Sequence, residues 1–287
     1  IDTYIYNDLN FMNKCNDALV KEYPKMTMFG ETWVHGVPSQ AYFAKNNVQT
    51  PFKSNLMGVT DFQTLFYGIL PAVKEKFGWT DGVNKLYTTL SFDYLYKDAT
   101  LNCNFLDNHD LTRIATELGG DIAKLKMSMA WLLTTRGIPQ IYYGTEVIMK
   151  GDKGINDGWV RLDFPGGWAG DAKNAFTNAG LSNEEKDFQN YTKLLANFRK
   201  KSSAIGTGKM MQFVPEDGVY VYFRYDAKQT VMCIMNTNEQ EKEVATNRFV
   251  ERMRGFKKGT DIASGVQFTS LQNIKIAAKQ MLVLELQ

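Results

Sequence analysis

The chain has 287 residues, 44% hydrophobic and 22% charged, with 33 Lys and Arg set against 31 Asp and Glu. That length accommodates one large or two ordinary domains, and the composition is that of a folded globular protein rather than a disordered one. A formal charge of +2 gives no electrostatic reason to expect nucleic acid or an anionic membrane, and no run of 18 apolar residues is present to span a bilayer.

In chain order, Ile1-Asp2-Thr3-Tyr4-Ile5-Tyr6 reads as the end of a strand, with no initiator Met and no signal peptide before it. A piece of a longer protein is therefore expected. Asp8 to Tyr23 has helical apolar spacing (Leu9, Met12, Leu19) and stops at Pro24. Lys25 to Trp33 is a short apolar strand that ends in Glu31 beside Gly30 and Trp33. Ser39 to Lys45 reads as a short helix, Leu56 to Asp61 as a strand, and Phe62 to Phe77 and Asp81 to Tyr96 as helices. A third apolar run, Leu101 to Leu106, ends abruptly in Asp107-Asn108-His109-Asp110. After the buried-type helix Ile122 to Arg136 comes a fourth strand, Gly137 to Glu146. This repeated strand-helix alternation is the signature of a parallel α/β sheet or barrel, whose sites form at the C-terminal ends of the strands.

Residues 151–180 make a long Gly-, Asp-, Asn- and Trp-rich loop, of the kind that is usually functional or loosely held. Its Pro165-Gly166-Gly167 lacks the Lys-Ser/Thr of a phosphate-binding loop and reads as a plain turn. Ser182 with Glu185 is a capping box for a helix running to Gly206. Beyond residue 208 the texture changes to short strands separated by turns, with no helix needed, so an antiparallel β-sandwich is expected to follow the α/β part. The basic cluster Arg252, Arg254, Lys257, Lys258 reads as a solvated face. Three widely separated cysteines (Cys15, Cys103, Cys233) build neither a disulfide framework nor a metal site and read as buried free thiols.

Acids at several strand ends (Asp2, Glu31, Asp107, Asp110) suit glycoside hydrolysis, where one carboxylate attacks or stabilises the sugar cation and another delivers a proton. The aromatic neighbours Tyr4, Tyr6, Trp33 and Tyr143 fit a sugar site, because flat apolar rings stack on pyranose faces. The same acids could equally cap helices or bind a barrel-internal Arg.

Four motifs narrow this. Ile1-Asp2-Thr3-Tyr4, Phe29-Gly30-Glu31-Thr32-Trp33, Phe105-Leu106-Asp107-Asn108-His109-Asp110 and Gly137-Ile138-Pro139-Gln140-Ile141-Tyr142-Tyr143-Gly144-Thr145-Glu146 stand in one order. They resemble the strand-4, strand-5, strand-7 and strand-8 signatures of the α-amylase superfamily, glycoside hydrolase family 13, and the wording is most similar to the neopullulanases of bacterial starch-utilisation systems. The resemblance covers essentially the whole chain. It implies the C-terminal half of a (β/α)8 TIM barrel over residues 1–207 and an all-β antiparallel sandwich over 208–287. It further implies retaining hydrolysis of α-glucosidic bonds, with Asp2 as nucleophile, Glu31 as general acid/base and Asp110 as the third carboxylate. His109 matches a sugar-binding neighbour; Trp33, Tyr4, Tyr6 and His35 are candidate substrate contacts, and Asp107 is a structural acid.

The family's arginine two residues before the nucleophile would fall ahead of Ile1, so the upstream barrel segment is expected as a partner of this one. Ile5-Tyr6 replaces the Lys-His of many α-amylases, which points away from ordinary endo-acting starch cleavage. No cofactor or metal is expected in this segment, calcium being left to upstream residues, and a bacterial periplasm is the expected compartment. Two other readings remain at this level: a non-catalytic amylase-like binding or scaffold domain, and a barrel hydrolase using its acids on a metal. The second is poorly served by only two histidines.

Overall fold

The computed structural model describes residues 1–287. Its first part is an arc of parallel strands: β1 (Phe29–Gly30), β2 (Gly58–Val59), β3 (Cys103–Phe105) and β4 (Ile138–Gln140). Ile1 adds a fifth position. Its amino group donates to Phe29 O (2.8 Å) and its carbonyl accepts from Glu31 N (2.8 Å), a parallel ladder around Gly30. β1 pairs with β2, Thr60 bridges to Cys103, and β3 pairs with β4, all in parallel.

The arc packs tightly where side chains would obstruct it. A Cβ on Gly30 would stand 2.6 Å from the Tyr4 ring, and one on Gly58 would stand 2.0 Å from Leu101 O, so both positions require glycine. The first strand is shorter than Lys25 to Trp33. Met26 N closes a turn onto Tyr23 O before it, and Thr32 Oγ1 bonds back to Gly30 O after it, which ends the ladder at both sides.

Helices connect the strands: α1 (Leu9–Glu22), α2 (Val37–Tyr42), α3 (Phe62–Thr64) leading through a π-helical turn (Leu65–Ile69) into α4 (Leu70–Lys74), then α5 (Val83–Ser91). After β3 come α6 (Ile114–Glu117) and α7 (Ile122–Thr134), and after the long loop come α8 (Asn183–Lys201) and α9 (Ser203–Gly206). Asp8 caps α1 and Asp121 caps α7. Ser182 and Glu185 form the reciprocal capping box of α8. The expected single helix Phe62 to Phe77 is interrupted, because Pro71 has no N–H to give Tyr67 O and its ring would crowd that carbonyl. Leu70 N bonds instead to Leu65 O, one residue further back, and the Tyr67 carbonyl accepts from Thr89 Oγ1 (2.9 Å).

The second part holds β5 (Lys209–Glu216), β6 (Val219–Tyr225), β7 (Thr230–Asn236), β8 (Lys242–Ala245), α10 (Val250–Met253), β9 (Gly259–Asp261), β10 (Gln267–Phe268), β11 (Asn273–Ile276) and β12 (Gln280–Leu286). Six strands form one antiparallel sheet in the order β10-β9-β12-β7-β6-β5, and β11-β8 form a second small one. Alternate residues serve two cores. Val221, Phe223, Ile234 and Leu284 face Val244, Ile274 and Ile276 of the small sheet, while Tyr220, Tyr222, Cys233 and Val283 join the core of the α/β part around Trp131 and Phe188. The helical turns over Thr246–Met253 correct the expectation of a helix-free region. They close the sandwich by burying Phe249 and Met253, and Arg252 lies over the Tyr225 ring at 4.0 Å. Arg224 of β6 donates to Thr134 O (3.0 Å) and to Thr135 O, satisfying carbonyls at the end of α7. No helix is long and apolar enough to cross a membrane.

Inside the arc, buried Arg136 pairs with Asp61 (2.9 Å) and Asp93 (2.6 Å) and donates to Asn104 Oδ1 (2.9 Å). Burial pushes the Asp61 carboxyl up, but the Arg136 charge and hydrogen bonds from Thr64 and Gln40 outweigh it and hold the group below its ordinary value. Arg136→Met leaves Asp61 buried and uncompensated. A loss of about 3–5 kcal/mol in unfolding free energy is expected from urea denaturation, and a loss below 1 kcal/mol would show that the network is not needed.

Candidate active site

The candidate acids and His109 sit just past the C-terminal ends of strands. Asp2 follows Ile1, Glu31 follows β1, and His109 and Asp110 follow β3. Glu31 is the centre. Its Oε2 accepts from Thr3 N (2.8 Å), and Thr3 holds the left-handed conformation (φ 49°, ψ 32°). That backbone is costly for a β-branched residue and marks strain stored at this point. The Glu31 carboxyl is raised above its ordinary value, first by burial and then, against the Thr3 hydrogen bond, by the neighbouring Asp2 and Asp110 charges; Asp2 also lies within hydrogen-bonding reach. Asp2, Glu31 and Asp110 are therefore brought together.

Asp110 is embraced by cations. Arg161 Nη2 donates to its Oδ1 (2.9 Å), Lys153 Nζ lies 3.9 Å away, and His109 Nε2 stands 3.2 Å from its other oxygen. Arg161 also donates through Nε to His109 O (2.9 Å), and Asn108 Oδ1 accepts from Asp110 N (2.9 Å). Arg161 and Lys153 come from the loop over residues 151–180, and both also pair with Asp157. The loop is thus built into the site. Sequence reasoning singled out neither residue; the signal was the spacing of Lys153, Asp157 and Arg161 at four-residue intervals. Pro165-Gly166-Gly167 is a turn closed on Asp171, which accepts from Gly166 N and Trp168 N.

A third residue missed from sequence is Arg113, fully buried. It donates through Nε to Val160 O (2.9 Å) and through Nη1 to Tyr143 O (2.6 Å), and lies over the Tyr142 ring at 3.9 Å. It so ties the turn after β3 to the segment after β4 and to the neighbour of Arg161.

The other expected contacts divide. Trp33 is 40% exposed and stacked on Phe62 (4.7 Å), and Tyr6 is 82% exposed. His35 is exposed, with Nδ1 at 2.8 Å from Tyr67 Oη. Tyr4 is a correction: it is 1% exposed, its ring lies under Gly30, and its hydroxyl accepts from Asn16 (3.0 Å), so it is a core residue that a sugar cannot reach. Asp107 is buried, accepting from Ile114 N (2.9 Å) and Thr145 Oγ1 (2.8 Å), and has the structural role expected of it. The three cysteines are free, and burial pushes the Cys103 and Cys233 thiols up to about 12. No group of three or more His, Cys, Asp or Glu side chains is arranged to hold a metal ion.

With this geometry in hand, comparison with known proteins is decisive. Residues 3–203 match the family described as "Alpha amylase, catalytic domain", and residues 210–285 match "Cyclo-malto-dextrinase C-terminal domain". The chain belongs to the α-amylase family. It is 30% identical over 154 residues to a cyclomaltodextrin glucanotransferase of Geobacillus stearothermophilus, an alignment covering 54% of this chain and 19% of that protein. It is 32% identical over 143 residues to a cyclomaltodextrinase of Geobacillus thermopakistaniensis, covering 49% of this chain and 22% of that protein. Among solved structures, the α-amylase of Geobacillus thermoleovorans complexed with acarbose superposes with a TM-score of 0.75 at 18% identity, over 98% of this chain and 57% of that one. The cyclic α-maltosyl-(1→6)-maltose hydrolase of Arthrobacter globiformis gives 0.71 at 17%, over 99% and 55%. The chain thus spans about a fifth of the curated relatives' length and little more than half of the solved structures'. The parallel arc is the C-terminal half of a TIM barrel, and the antiparallel sandwich trails it.

The raised Glu31 carboxyl has a consequence for stability. A group whose folded pKa lies above its unfolded one contributes stability at low pH that is lost as pH rises through the folded value. Glu31→Gln is therefore expected to melt higher than the parent at pH 7 and to lose that advantage near about pH 4, as followed by calorimetry across pH. An advantage that does not change with pH would contradict the assignment.

Proposed function

We propose that the protein carrying this chain is a retaining α-glucan hydrolase of neopullulanase, cyclomaltodextrinase or α-amylase type. Its substrates are the α-1,4 bonds, and in the neopullulanase manner the α-1,6 bonds, of starch-derived glucans. One observation carries the reading: the Glu31 carboxyl is raised above its ordinary value by burial and by the neighbouring Asp2 and Asp110, with Asp2 in direct reach. A carboxyl raised by its surroundings and set beside two others is the arrangement that acid catalysis at a glycosidic bond needs. Membership of the α-amylase family supports retention.

In this reading Glu31 gives its proton to the departing glycosidic oxygen while Asp2 attacks the anomeric carbon and forms a glycosyl ester. Glu31, now ionised, takes a proton from water, and the resulting hydroxide equivalent breaks the ester and frees Asp2. Asp110 holds sugar hydroxyls, with Arg161 and Lys153 keeping its charge in place, and His109, Trp33, Tyr6 and His35 line the sugar path. The names of the aligned relatives, cyclomaltodextrin glucanotransferase and cyclomaltodextrinase, support this class. We assign calcium, where it is required, to upstream residues, and the protein to a bacterial periplasm.

The deciding experiment measures reducing-sugar release from amylose, pullulan and cyclomaltodextrin by the intact protein. Glu31→Gln is expected to lower turnover by about 10²–10⁴-fold, and Asp2→Asn to abolish it; unchanged release by either variant would remove the reading, and the substrate order would pick the subtype. Arg161→Met is expected to cost about 10- to 100-fold in kcat/KM, the worth of a hydrogen bond between charged groups. A value equal to the parent's would show that Asp110 does not depend on it.

A further inference from the structure

We propose that His35 and Tyr67 form a sugar-binding pair on the leaving-group side of Glu31, fixing how far the cleaved glucan is gripped beyond the scissile bond. The inference rests on the reading of Glu31 as the proton donor.

The chain leaving Glu31 runs away from Asp2. Asp2 and Ile1 lie on one flank of β1, whereas Trp33 and His35 pack against residues that follow β2: Phe62, Phe66 and Tyr67. Glu31 thus stands between the attacking carboxylate and an aromatic shelf. A glucan with its anomeric carbon at Asp2 and its departing oxygen at Glu31 extends its departing part over that shelf.

The shelf is held rigid before any sugar arrives. Trp33 is stacked on Phe62 (4.7 Å, 12°) and Phe66 (5.9 Å, 26°). Gln63 is buried; its amide donates to Val34 O and its oxygen accepts from Gly36 N (2.8 Å), so the segment on both sides of His35 is clamped. Tyr67 is presented by the π-helical turn that Pro71 imposes, a distortion found mostly where function requires it. Its carbonyl, which Pro71 cannot bond, is supported by Thr89, so the turn is secured and its position reproducible.

The result is an unusual surface. Tyr67 is 44% exposed, and its phenol meets His35 Nδ1 at 2.8 Å with the two rings edge to face at 6.3 Å. Two large side chains are paired at the surface with Tyr67 little more than half buried, which costs side-chain entropy and returns little to folding. A pyranose offers what the pair lacks: an apolar face for the phenol ring and hydroxyls for Nε2 of His35 and for the phenol oxygen.

The test compares two substrates on the intact protein. Maltoheptaose can reach across the shelf, whereas 4-nitrophenyl α-maltoside has a single small ring as its leaving group. For Tyr67→Ala and His35→Ala the ratio of kcat/KM for maltoheptaose to that for the maltoside is expected to fall about three- to tenfold, mainly through KM for maltoheptaose. Tyr67→Phe keeps the ring, loses the hydrogen bond and is expected between parent and Tyr67→Ala; it decides the matter if Tyr67→Ala fails to fold. An unchanged ratio in these variants overturns the proposal. If the parent releases nothing from either substrate, the reading of Glu31 falls by itself, and calorimetric titration with maltoheptaose then judges the pair: weaker binding by Tyr67→Ala and His35→Ala supports it, and equal binding overturns it.

Discussion

One buried guanidinium holds the α/β part in register. Arg136 stands at the start of the turn into β4 and reaches Asp61 after β2, Asn104 within β3 and Asp93 after α5, so a single planar fork ties three elements to the fourth. Asp61 spends its remaining capacity on Thr64 N, which caps the start of α3, and on Gln40 of α2, which also meets the Tyr96 hydroxyl. Strands only two or three residues long have too few ladder hydrogen bonds to fix their own alignment. A network with directional, charged bonds supplies what the short ladders lack.

The same division explains the chemistry at the strand ends. Below the site, charge is balanced and buried: Asp61 has its arginine, and Asp107 has a backbone N–H and a threonine hydroxyl. At the site the balance is deliberately uneven. Asp110 has two cations beside it, whereas Glu31 has two anions and one amide. The Glu31 carboxyl is thereby raised above its ordinary value, first by burial and then by the carboxyls beside it.

Much of this was legible in the sequence because it depends on local pattern. Strands ending in acids, the Ser182 capping box and the change of texture near residue 208 are each written within a few neighbouring residues. What escaped depends on distant partners. Tyr4 and Tyr6 are two positions apart and look alike in sequence, yet only the space under Gly30 decides that one is core and the other exposed. Pro71 breaks the helix expected over Phe62 to Phe77, and the carbonyl it frees is taken up by Thr89, a partner 22 residues from Tyr67 that no local pattern names. Arg113 and Arg161 sit in segments 48 residues apart, and their joint role appears only when Val160 and Asp110 are seen beside them. The helical turns after Thr246 were hidden among strand-like neighbours because their purpose is to cover two sheets made elsewhere in the chain.

The large antiparallel sheet is buried on both faces, with β7 inaccessible along its whole length and Arg224 dividing its hydrogen bonds between the ends of α7 and α9. Such a sheet is not a detachable accessory. A recombination event that moved it to another enzyme would have to carry the complementary surfaces of α7 and α8 with it, or else leave Tyr220 and Tyr222 without a home. Inheritance should therefore treat the half-barrel and its sandwich as one unit, shuffled together or not at all, whatever happens to the loops that face the sugar.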